Sequence, residues 1–235
     1  MDDIRAQETR ERSKPTPHVR KVGRGVFLGL AGVTGAALLV GNKVGKYIPN
    51  VQVPSILGGT NVNGFTIYTI ANFPTFDPAT YRLRIDGMVA EPREYTYAEL
   101  LRMPAVQETR YYQCVTGWVV PRPRWQGVRL WDLIQASKPT SGASALHFSC
   151  MDNAYTESLT FDQAKPRDVL LAYELDGKAL AKEQGLPLRL VVPGMYGYKF
   201  AKWVNHVQVV NKVIPGYWEQ NGYDVNAYIG ASNGF

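Results

Sequence analysis

Residues 187–203 read Pro187-Leu-Arg-Leu-Val-Val-Pro-Gly-Met-Tyr-Gly-Tyr-Lys-Phe-Ala-Lys-Trp203, an apolar strand followed by a basic loop. Arg189 lies in the strand, which ends at Pro193-Gly194. The loop after it is predicted to expose Tyr196, Gly197, Tyr198, Lys199 and Lys202. Glycine permits close backbone approach, and arginine and lysine suit an anionic phosphate. The pattern therefore indicates a site for a phosphate-bearing molecule.

A cysteine-containing run precedes it in the chain, Tyr111-Tyr-Gln-Cys-Val-Thr-Gly-Trp118, leading into Trp125-Gln-Gly-Val-Arg-Leu-Trp-Asp-Leu-Ile134. Cys114 ends a predicted strand and enters a turn that contains Gly117, so its sulfur can face a cavity. A thiolate is a soft metal ligand. The two runs together predict a metal-binding sulfur beside a phosphate-bearing cofactor.

The rest of residues 65–235 predicts one α+β domain with mixed sheets, short helices and long loops. Alternating or apolar runs predict strands at Tyr81–Val89, Glu108–Val115, Ala145–Met151, Val169–Leu175, Leu186–Val192 and Val204–Val210. Asp176-Gly177 is a hairpin signal. Short helices are predicted at Tyr97–Met103, Leu130–Ala136 and Phe161–Lys165, the last capped by Thr160.

The first 64 residues form an appendage of three parts: a basic leader without a fold of its own (1–24), an uncharged segment (25–42) and a linker (43–64). Residues 1–46 hold nine Lys/Arg against four Asp/Glu, and the other 189 residues hold 17 against 16. The charge of +6 thus belongs mostly to the appendage. A nearly neutral domain argues against a nucleic-acid partner.

The uncharged segment 25–42 predicts a membrane anchor or export signal rather than a buried core helix. As a helix its 18 residues would span about 27 Å, close to the roughly 30 Å of a bilayer core. Arg24-Gly25-Val26-Phe27-Leu28 resembles a twin-arginine signal that lacks its second arginine. No small-x-small cleavage site precedes Lys43, which favours an uncleaved anchor. We expect the domain on the extracytoplasmic face of the cytoplasmic membrane.

Several enzyme classes lack their motifs in this chain. Gly142-Ala-Ser-Ala-Leu146 lacks the second glycine of a hydrolase elbow, and Gly41-Asn-Lys-Val-Gly-Lys46 is one residue short of a P-loop. No dinucleotide-binding glycine motif follows a strand, and no His-x-x-x-His pair occurs. The sequence therefore gives no support to the common hydrolase, kinase or nicotinamide-dependent classes.

At the two runs the sequence resembles the sulfite oxidase-type molybdopterin oxidoreductases, and among them the small exported bacterial branch that includes periplasmic methionine sulfoxide reductase catalytic subunits. The resemblance covers about Phe73 to Phe235. Its other markers are Phe73-Pro-Thr-Phe-Asp77, Leu83-Arg-Ile-Asp-Gly87, Asp152-Asn-Ala-Tyr155, Glu157-Ser-Leu159 and Gly216-Tyr-Trp-Glu-Gln-Asn-Gly-Tyr223. Several markers in the right order and spacing make the resemblance specific.

The resemblance implies a Mo-molybdopterin cofactor with Cys114 as the protein thiolate on molybdenum and as the catalytic residue. It implies that Arg189 and Lys202 contact the phosphate end and that the backbone of Phe200 and Ala201 lies against it. The remaining cofactor positions that it implies are Asn72, Ser149 and Gln184, where Gln184 stands in place of the branch's asparagine.

The implied chemistry is two-electron oxygen-atom transfer on a small oxygenated substrate of the sulfoxide or N-oxide class, with single electrons exchanged with a membrane haem protein. The turn Cys114-Val-Thr-Gly-Trp118 departs from that of true sulfite oxidases. We also expect no C-terminal dimerisation domain, hence a monomeric catalytic domain. These departures disfavour sulfite oxidation.

Alternative interpretations remain for individual residues and for the whole domain. Cys114 and Cys150 could pair as a disulfide, and Arg110 could form a salt bridge or lie near a substrate. His206 is predicted to be structural, and Trp118, Trp125 and Trp131 to be core residues. The domain could also be a cofactor-free extracytoplasmic binding module on the same scaffold, or a nucleic-acid binder built on Arg110–Trp125 and Tyr196–Trp203.

Overall fold

Two five-stranded sheets form the framework of the domain in the computed structural model, which describes residues 61–231. The predicted leader, the segment 25–42 and most of the linker lie outside the described residues. The strands are β1 (Asn61–Val62), β2 (Phe65–Thr66), β3 (Arg82–Gly87), β4 (Arg93–Thr96), β5 (Ala105–Glu108), β6 (Tyr112–Gln113), β7 (Val119–Val120), β8 (Trp125–Arg129), β9 (Ala145–Cys150), β10 (Thr156–Thr160), β11 (Leu170–Leu175), β12 (Lys178–Ala179), β13 (Arg189–Val191) and β14 (Val204–Val210). The helices are α1 (Tyr97–Arg102), α2 (Leu130–Ala136), α3 (Phe161–Ala164) and α4 (Tyr217–Gln220), and single 3-10 turns lie at Lys182–Gln184 and Gly197–Lys199.

The first sheet has the strand order β10-β9-β14-β3-β4, with β14 and β3 parallel and the other pairs antiparallel. Its strands alternate as predicted, because one face packs on the core while the other meets water. In β3, Leu83 and Ile85 are buried between exposed arginines, and in β9 Phe148 and Cys150 are buried.

The second sheet is built around β11, which pairs with β8 along one edge and with β12 and β13 along the other. Five of the six β11 residues are buried, as expected of a central strand covered on both faces. The predicted Asp176-Gly177 turn is confirmed: both residues have positive φ and join β11 to β12. Arg189 enters the domain interior on β13.

Capping side chains fix the ends of two short helices. Thr96 and Glu99 form a capping box at α1, and Thr160 and Gln163 form one at α3, as the sequence predicted for Thr160. In α2, Leu130, Leu133 and Ile134 are buried at helical spacing. Within residues 61–231, no helix is long and apolar enough to cross a membrane.

Three segments differ from the sequence prediction. The predicted strand Glu108–Val115 is broken, since β5 ends at Glu108 and β6 contains only Tyr112–Gln113; between them Arg110 pairs with Glu108 (3.4 Å) and Asp168 (3.2 Å). The predicted strand Leu186–Val192 shortens to β13, flanked by prolines that cannot donate to a sheet. The end of the predicted linker forms the hairpin β1–β2, whose turn is an asparagine–glycine pair.

Candidate functional site

Cys114 lies in the turn that joins β6 to β7, where its sulfur is half-buried. The turn is closed by two backbone bonds, Gly117 N–H to Cys114 C=O (2.9 Å) and Cys114 N–H to Trp118 C=O (3.0 Å). Gly117 has φ +100°, a conformation that favours glycine. The Thr116 hydroxyl donates to Cys114 Sγ at 3.2 Å. The turn therefore fixes the direction of the sulfur.

Burial raises the pKa of the Cys114 thiol, and the hydroxyl and amide of Thr116 oppose that rise only in part. None of the groups that act most strongly on it is a base. A bound metal ion deprotonates a coordinating thiol outright. The setting thus suits a metal ligand better than a nucleophile activated by a neighbouring base.

Tyr112 connects the cysteine strand to the loop after β13. Its ring is buried and packs edge-on against Phe200, with centroids 5.0 Å apart. A Cβ atom on Gly197 would lie 2.1 Å from Tyr112 Oη, so only glycine allows the loop to come this close. Gln113 also forms a β-bridge with Tyr196. The structure thereby brings the two runs that stand out in the sequence together.

Arg189 is 4% exposed and its guanidinium lies in an aromatic cage. The guanidinium carbon is 5.4–5.7 Å from the ring centroids of Phe65, Tyr112 and Trp125. Nη1 donates to the Gln184 carbonyl (2.9 Å), but the buried Nε has no acceptor. Burial lowers the pKa of Arg189, with Tyr112 acting in the opposite direction.

Lys202 pairs with Arg189 through a β-bridge, so the two cations lie side by side. Its Nζ donates to the carbonyls of Tyr68 (2.6 Å) and Glu183 (3.4 Å) and lies 4.2 Å from the Trp203 ring centroid. Burial, followed by the charge of Arg189, lowers the pKa of Lys202 to about 7. Within residues 61–231 neither cation forms an ion pair with a carboxylate. A buried arginine beside a half-buried lysine, neither paired with a carboxylate, makes a site for an anion.

The backbone next to this pair is held by the same strands. Leu190 N–H donates to the Ala201 carbonyl (2.8 Å), and both Phe200 and Ala201 are buried. Gln184 is also buried, and its amide bonds the chain at both ends, accepting from Ala181 N–H (3.1 Å) and donating to the Val62 carbonyl (3.5 Å). The predicted positions 184, 189, 200, 201 and 202 therefore come together.

Asn72 and Ser149 lie at the margins of this group. Asn72 is exposed, and the ring of its neighbour Phe73 packs on Trp203 with centroids 5.6 Å apart. Ser149 leaves β9 on the face opposite to Cys150 and lines a groove of about 510 Å³ with Arg84 and His206. Phe73, the neighbour of Asn72, lies over Lys202 with Nζ 6.0 Å from the ring centroid, whereas the contacts of Ser149 are in the groove with Arg84 and His206.

Trp118, which the sequence assigned to the core, packs against that core but is only half-buried. Trp125 is buried as predicted, whereas the buried Nε1–H of Trp118 has no well-aligned acceptor and lies close enough to Cys114 to lower the pKa of that thiol. Its ring lies 5.3 Å from that of Tyr112. With Arg189 Nε it gives two buried donors without partners around the Cys114 turn. A polar, anionic ligand would satisfy both, so these residues fit a molybdopterin.

The predicted exposure of the loop was wrong for Gly197, Tyr198 and Lys199, all of which are buried, and the difference matters most at Lys199. The sequence placed it on an exposed loop with Lys202, but its side chain is fully buried and bonded to Glu157 and Glu219. The loop makes a 3-10 turn at Gly197–Lys199 that directs Lys199 inward. Both glutamates lie within sequence markers of the resemblance, Glu157-Ser-Leu159 and the 216–223 tail, but spacing alone did not connect them to Lys199.

Other candidate sites have structural partners. Both cysteines are free thiols, so the disulfide alternative is wrong, and Cys150 is 2% exposed. His206 Nε2 lies 2.7 Å from Asp86 Oδ1, consistent with the predicted structural role. Among residues 61–231 no group of three or more His, Cys, Asp or Glu side chains could hold a metal ion.

Comparisons with known proteins agree with this geometry. Residues 70–218 match the family described as the oxidoreductase molybdopterin binding domain. An uncharacterized oxidoreductase, YuiH, of Bacillus subtilis (strain 168) is 32% identical over 182 residues, which cover 76% of this chain and 86% of the relative.

Two relatives are named protein-methionine-sulfoxide reductase catalytic subunit MsrP. That of Gluconobacter oxydans (strain 621H) is 28% identical, covering 85% of this chain and 71% of the relative. That of Ralstonia nicotianae (strain ATCC BAA-1114 / GMI1000) is 31% identical, covering 61% of this chain and 48% of the relative. The chain thus spans about half the length of the Ralstonia protein.

A solved structure, the sulfane dehydrogenase SoxCD from Paracoccus pantotrophus, superposes with a TM-score of 0.61 at 24% identity. The match covers 72% of this chain and 50% of that chain. At this identity the likeness concerns the fold, which is the predicted sulfite oxidase-type arrangement of mixed sheets and short helices.

Proposed function

The chain belongs to the oxidoreductase molybdopterin binding domain family, and on that premise we propose that it carries a molybdenum–molybdopterin cofactor on Cys114 and reduces or oxidises a small oxygenated substrate. Family membership makes the chain an enzyme, an oxidoreductase that binds molybdopterin. The molybdenum, the residues that hold the cofactor, the substrate and the electron partner are our proposals.

The observation that carries the proposal is the position of Cys114 next to the Arg189–Lys202 pair, joined through Tyr112 and the Gly197 turn. Cys114 Sγ would be the protein ligand of molybdenum, and the Thr116 hydroxyl would orient it. When bound, the cofactor supplies two-electron oxygen-atom transfer.

The chain's own part at the cofactor is binding and orientation. Lys202 and Arg189 would bind the phosphate, and the vacant hydrogen-bonding capacity of Arg189 Nε and Trp118 Nε1 would be used there. The carbonyls of Tyr68 and Glu183 hold the Lys202 ammonium in place. An anion would restore the charged form of Lys202 at neutral pH, since its low pKa comes from burial and from Arg189.

The proposed substrate belongs to the sulfoxide or N-oxide class, with methionine sulfoxide suggested by the names of two relatives. We propose that a membrane haem protein exchanges electrons with the chain, as the resemblance to the exported branch of the family implies. The proposed location is the extracytoplasmic face of the membrane, and its support is the sequence of residues 25–42.

Metal analysis of full-length protein from a host that makes molybdopterin tests the proposal. We compare wild type with C114A and, as a matched control, C150A, because both cysteines are free thiols. We expect about one molybdenum per chain in wild type and C150A, as one thiolate site holds one metal. In C114A the thiolate-to-metal absorption band and the turnover of dimethyl sulfoxide with a reduced dye should be lost, while the fold is kept.

Full turnover in C114A would contradict the ligand assignment. A well-folded wild type without molybdenum would contradict the cofactor proposal, and the alternative, a cofactor-free binding module on the same scaffold, would then take its place. A wild type with molybdenum that turns over neither sulfoxides nor N-oxides would overturn the substrate class alone.

A further inference from the structure

A buried ionic triad lies behind the cofactor loop. Lys199 Nζ bonds Glu157 Oε1 (2.5 Å), Glu219 Oε1 (2.6 Å) and the Ser158 carbonyl (2.9 Å). The three charged side chains are 0–1% exposed. The triad joins three separate elements: Glu157 belongs to β10, Glu219 to α4, and Lys199 to the turn that precedes Phe200–Lys202.

The charges of the triad balance only if it carries a proton. Two carboxylates and one ammonium leave one negative charge in an interior that water does not reach. The second oxygen of each carboxylate, Glu157 Oε2 and Glu219 Oε2, is buried and has no hydrogen-bond donor. A proton on one carboxyl group would neutralise the triad and provide the missing donor.

The surrounding groups do not supply another countercharge. Tyr155 and Tyr198 lie next to the glutamates, and burial raises their pKa values, so both stay neutral near pH 7. Burial also raises the pKa of Cys150 and lowers that of His147, so these two are also neutral. Burial together with Glu219 raises the pKa of Glu157, against the influence of Lys199.

The packing at the start of α4 leaves no space for a side chain at Gly216. A Cβ atom on Gly216 would lie 2.6 Å from the Thr156 carbonyl and 2.7 Å from Glu219 Oε2. The glycine therefore allows the C-terminal segment to approach β10, which places Glu219 within reach of Lys199. The Tyr155 hydroxyl donates to the Tyr198 carbonyl, and this hydrogen bond is a second link between the segment before β10 and the turn Gly197–Lys199.

We propose that Lys199 is a positioning residue for the cofactor loop, held by Glu157 and Glu219 as a neutral triad in which the two carboxyl groups share one proton. Lys199 lies three residues before Lys202, so the bond that fixes its ammonium also fixes the turn from which Phe200, Ala201 and Lys202 emerge. Its role is to hold that backbone against the cofactor from behind. The positioning half of the proposal rests on the proposed function, whereas the shared proton does not.

The shared proton is tested in apo protein, made in a host without molybdopterin, by comparing the unfolding equilibria of wild type and E157Q. Glutamine keeps the shape of the protonated acid and can donate one hydrogen bond. Folded wild type keeps its proton above the unfolded carboxyl pKa of about 4.3, so its stability falls as pH rises toward the raised folded value. E157Q has no such proton and lacks that slope.

We expect the unfolding constant of wild type relative to E157Q to rise by up to about tenfold per pH unit above about pH 5. The titration of Lys202 contributes equally to the unfolding constants of both proteins, so this contribution cancels in their ratio. E94Q, in an exposed ion pair with Arg82, is the control and should show no such slope. A ratio that stays flat with pH would overturn the shared proton.

Positioning is tested by molybdenum content after expression with molybdopterin. K199M should lower the molybdenum per chain by about tenfold, the loss expected when a charged hydrogen bond that fixes the loop is removed. E157Q should load like wild type, because it preserves the neutral triad. K165M, which removes an exposed ion pair with Asp162, is the matched lysine control and should also load normally.

If K199M does not fold, the triple variant K199M/E157Q/E219Q decides, because no charge is left in the triad and such neutral replacements are often tolerated. It should fold and still load about tenfold less, since methionine cannot donate the loop bonds. Wild-type loading in K199M or in the triple variant would overturn the positioning role. Absence of molybdenum from wild type itself would instead refute the proposed function, and the apo experiment would remain decisive for the proton.

Discussion

At the scale of single residues, the site depends on charges that the protein leaves uncompensated. Arg189 is buried, the adjacent Lys202 is half-buried, and no acidic side chain within residues 61–231 pairs with either. Lys199, two residues after Gly197, differs from them because its ammonium group forms ion pairs with two glutamates. The same loop therefore carries one lysine without an acidic partner and one with two.

Lys202 should make anion binding to the apo protein dependent on pH. Its folded pKa of about 7 lies below the unfolded value, so apo stability rises as pH increases from about 7 toward about 10.4. Sulfate keeps its charge across this range and binds only the ammonium form. We expect sulfate to raise the melting temperature of apo protein more at about pH 6 than at about pH 8.5.

K202M should remove this pH difference, and K182M should keep it, because Lys182 contacts only the edge of the site through the Phe73 ring at 5.8 Å. Equal sulfate effects in wild type and K202M would show that Lys202 does not bind the anion. In protein expressed with molybdopterin, K202M should also lower the molybdenum content by about tenfold.

At the scale of elements, the packing of one turn against one strand assembles the site. The turn Gly197–Lys199 lies on β6 so closely that any side chain at position 197 would overlap the Tyr112 phenol. β6 contains only two residues and is held by β7 and by this contact. The position of Cys114 relative to the cation pair therefore depends on the contact between the Gly197–Lys199 turn and Tyr112.

G197A should lower the free energy of unfolding by about 2–3 kcal/mol, because the added methyl group must displace the Tyr112 ring. G222A is the control, since a Cβ there meets no atom within 4 Å and costs only the strain of φ +92°, about 1 kcal/mol. Denaturant unfolding measures both. If G197A lowers the free energy of unfolding no more than G222A does, the turn and Tyr112 are not in close contact in solution.

Element types and several ends were predictable from sequence where local chemistry determines them. α2 was predicted with its observed ends, and the Asp176-Gly177 hairpin and the Thr160 cap followed from residue type. The interruption of the predicted strand at Arg110 was not predictable, and there Arg110 pairs with Asp168, which is distant in the chain. Cross-chain ion pairs of this kind leave no local pattern.

At the scale of the whole molecule, the chain couples a catalytic domain to an apolar segment. If residues 25–42 anchor the chain with the domain outside, full-length protein should stay in the membrane fraction after alkaline carbonate extraction. Protease added to spheroplasts should then degrade the domain, because it would be exposed on the outer face. Release by carbonate would contradict the anchor, and protection from protease would contradict the orientation.

The sequence by itself determined the fold class and the family, and it singled out Cys114 as the proposed metal ligand, because periodicity, turn chemistry and ordered motifs are local properties. It also predicted Arg189 and Lys202 as phosphate ligands. This stays a prediction, and the structure has the two cations next to each other. Only the tertiary structure distinguished the buried, paired Lys199 from Lys202 and showed that the buried N–H of Trp118 has no well-aligned acceptor. The burial and the ion pairing of a side chain depend on residues that are far apart in the chain. Whether its charge is compensated is therefore decided only by the folded structure, which brings those residues into contact.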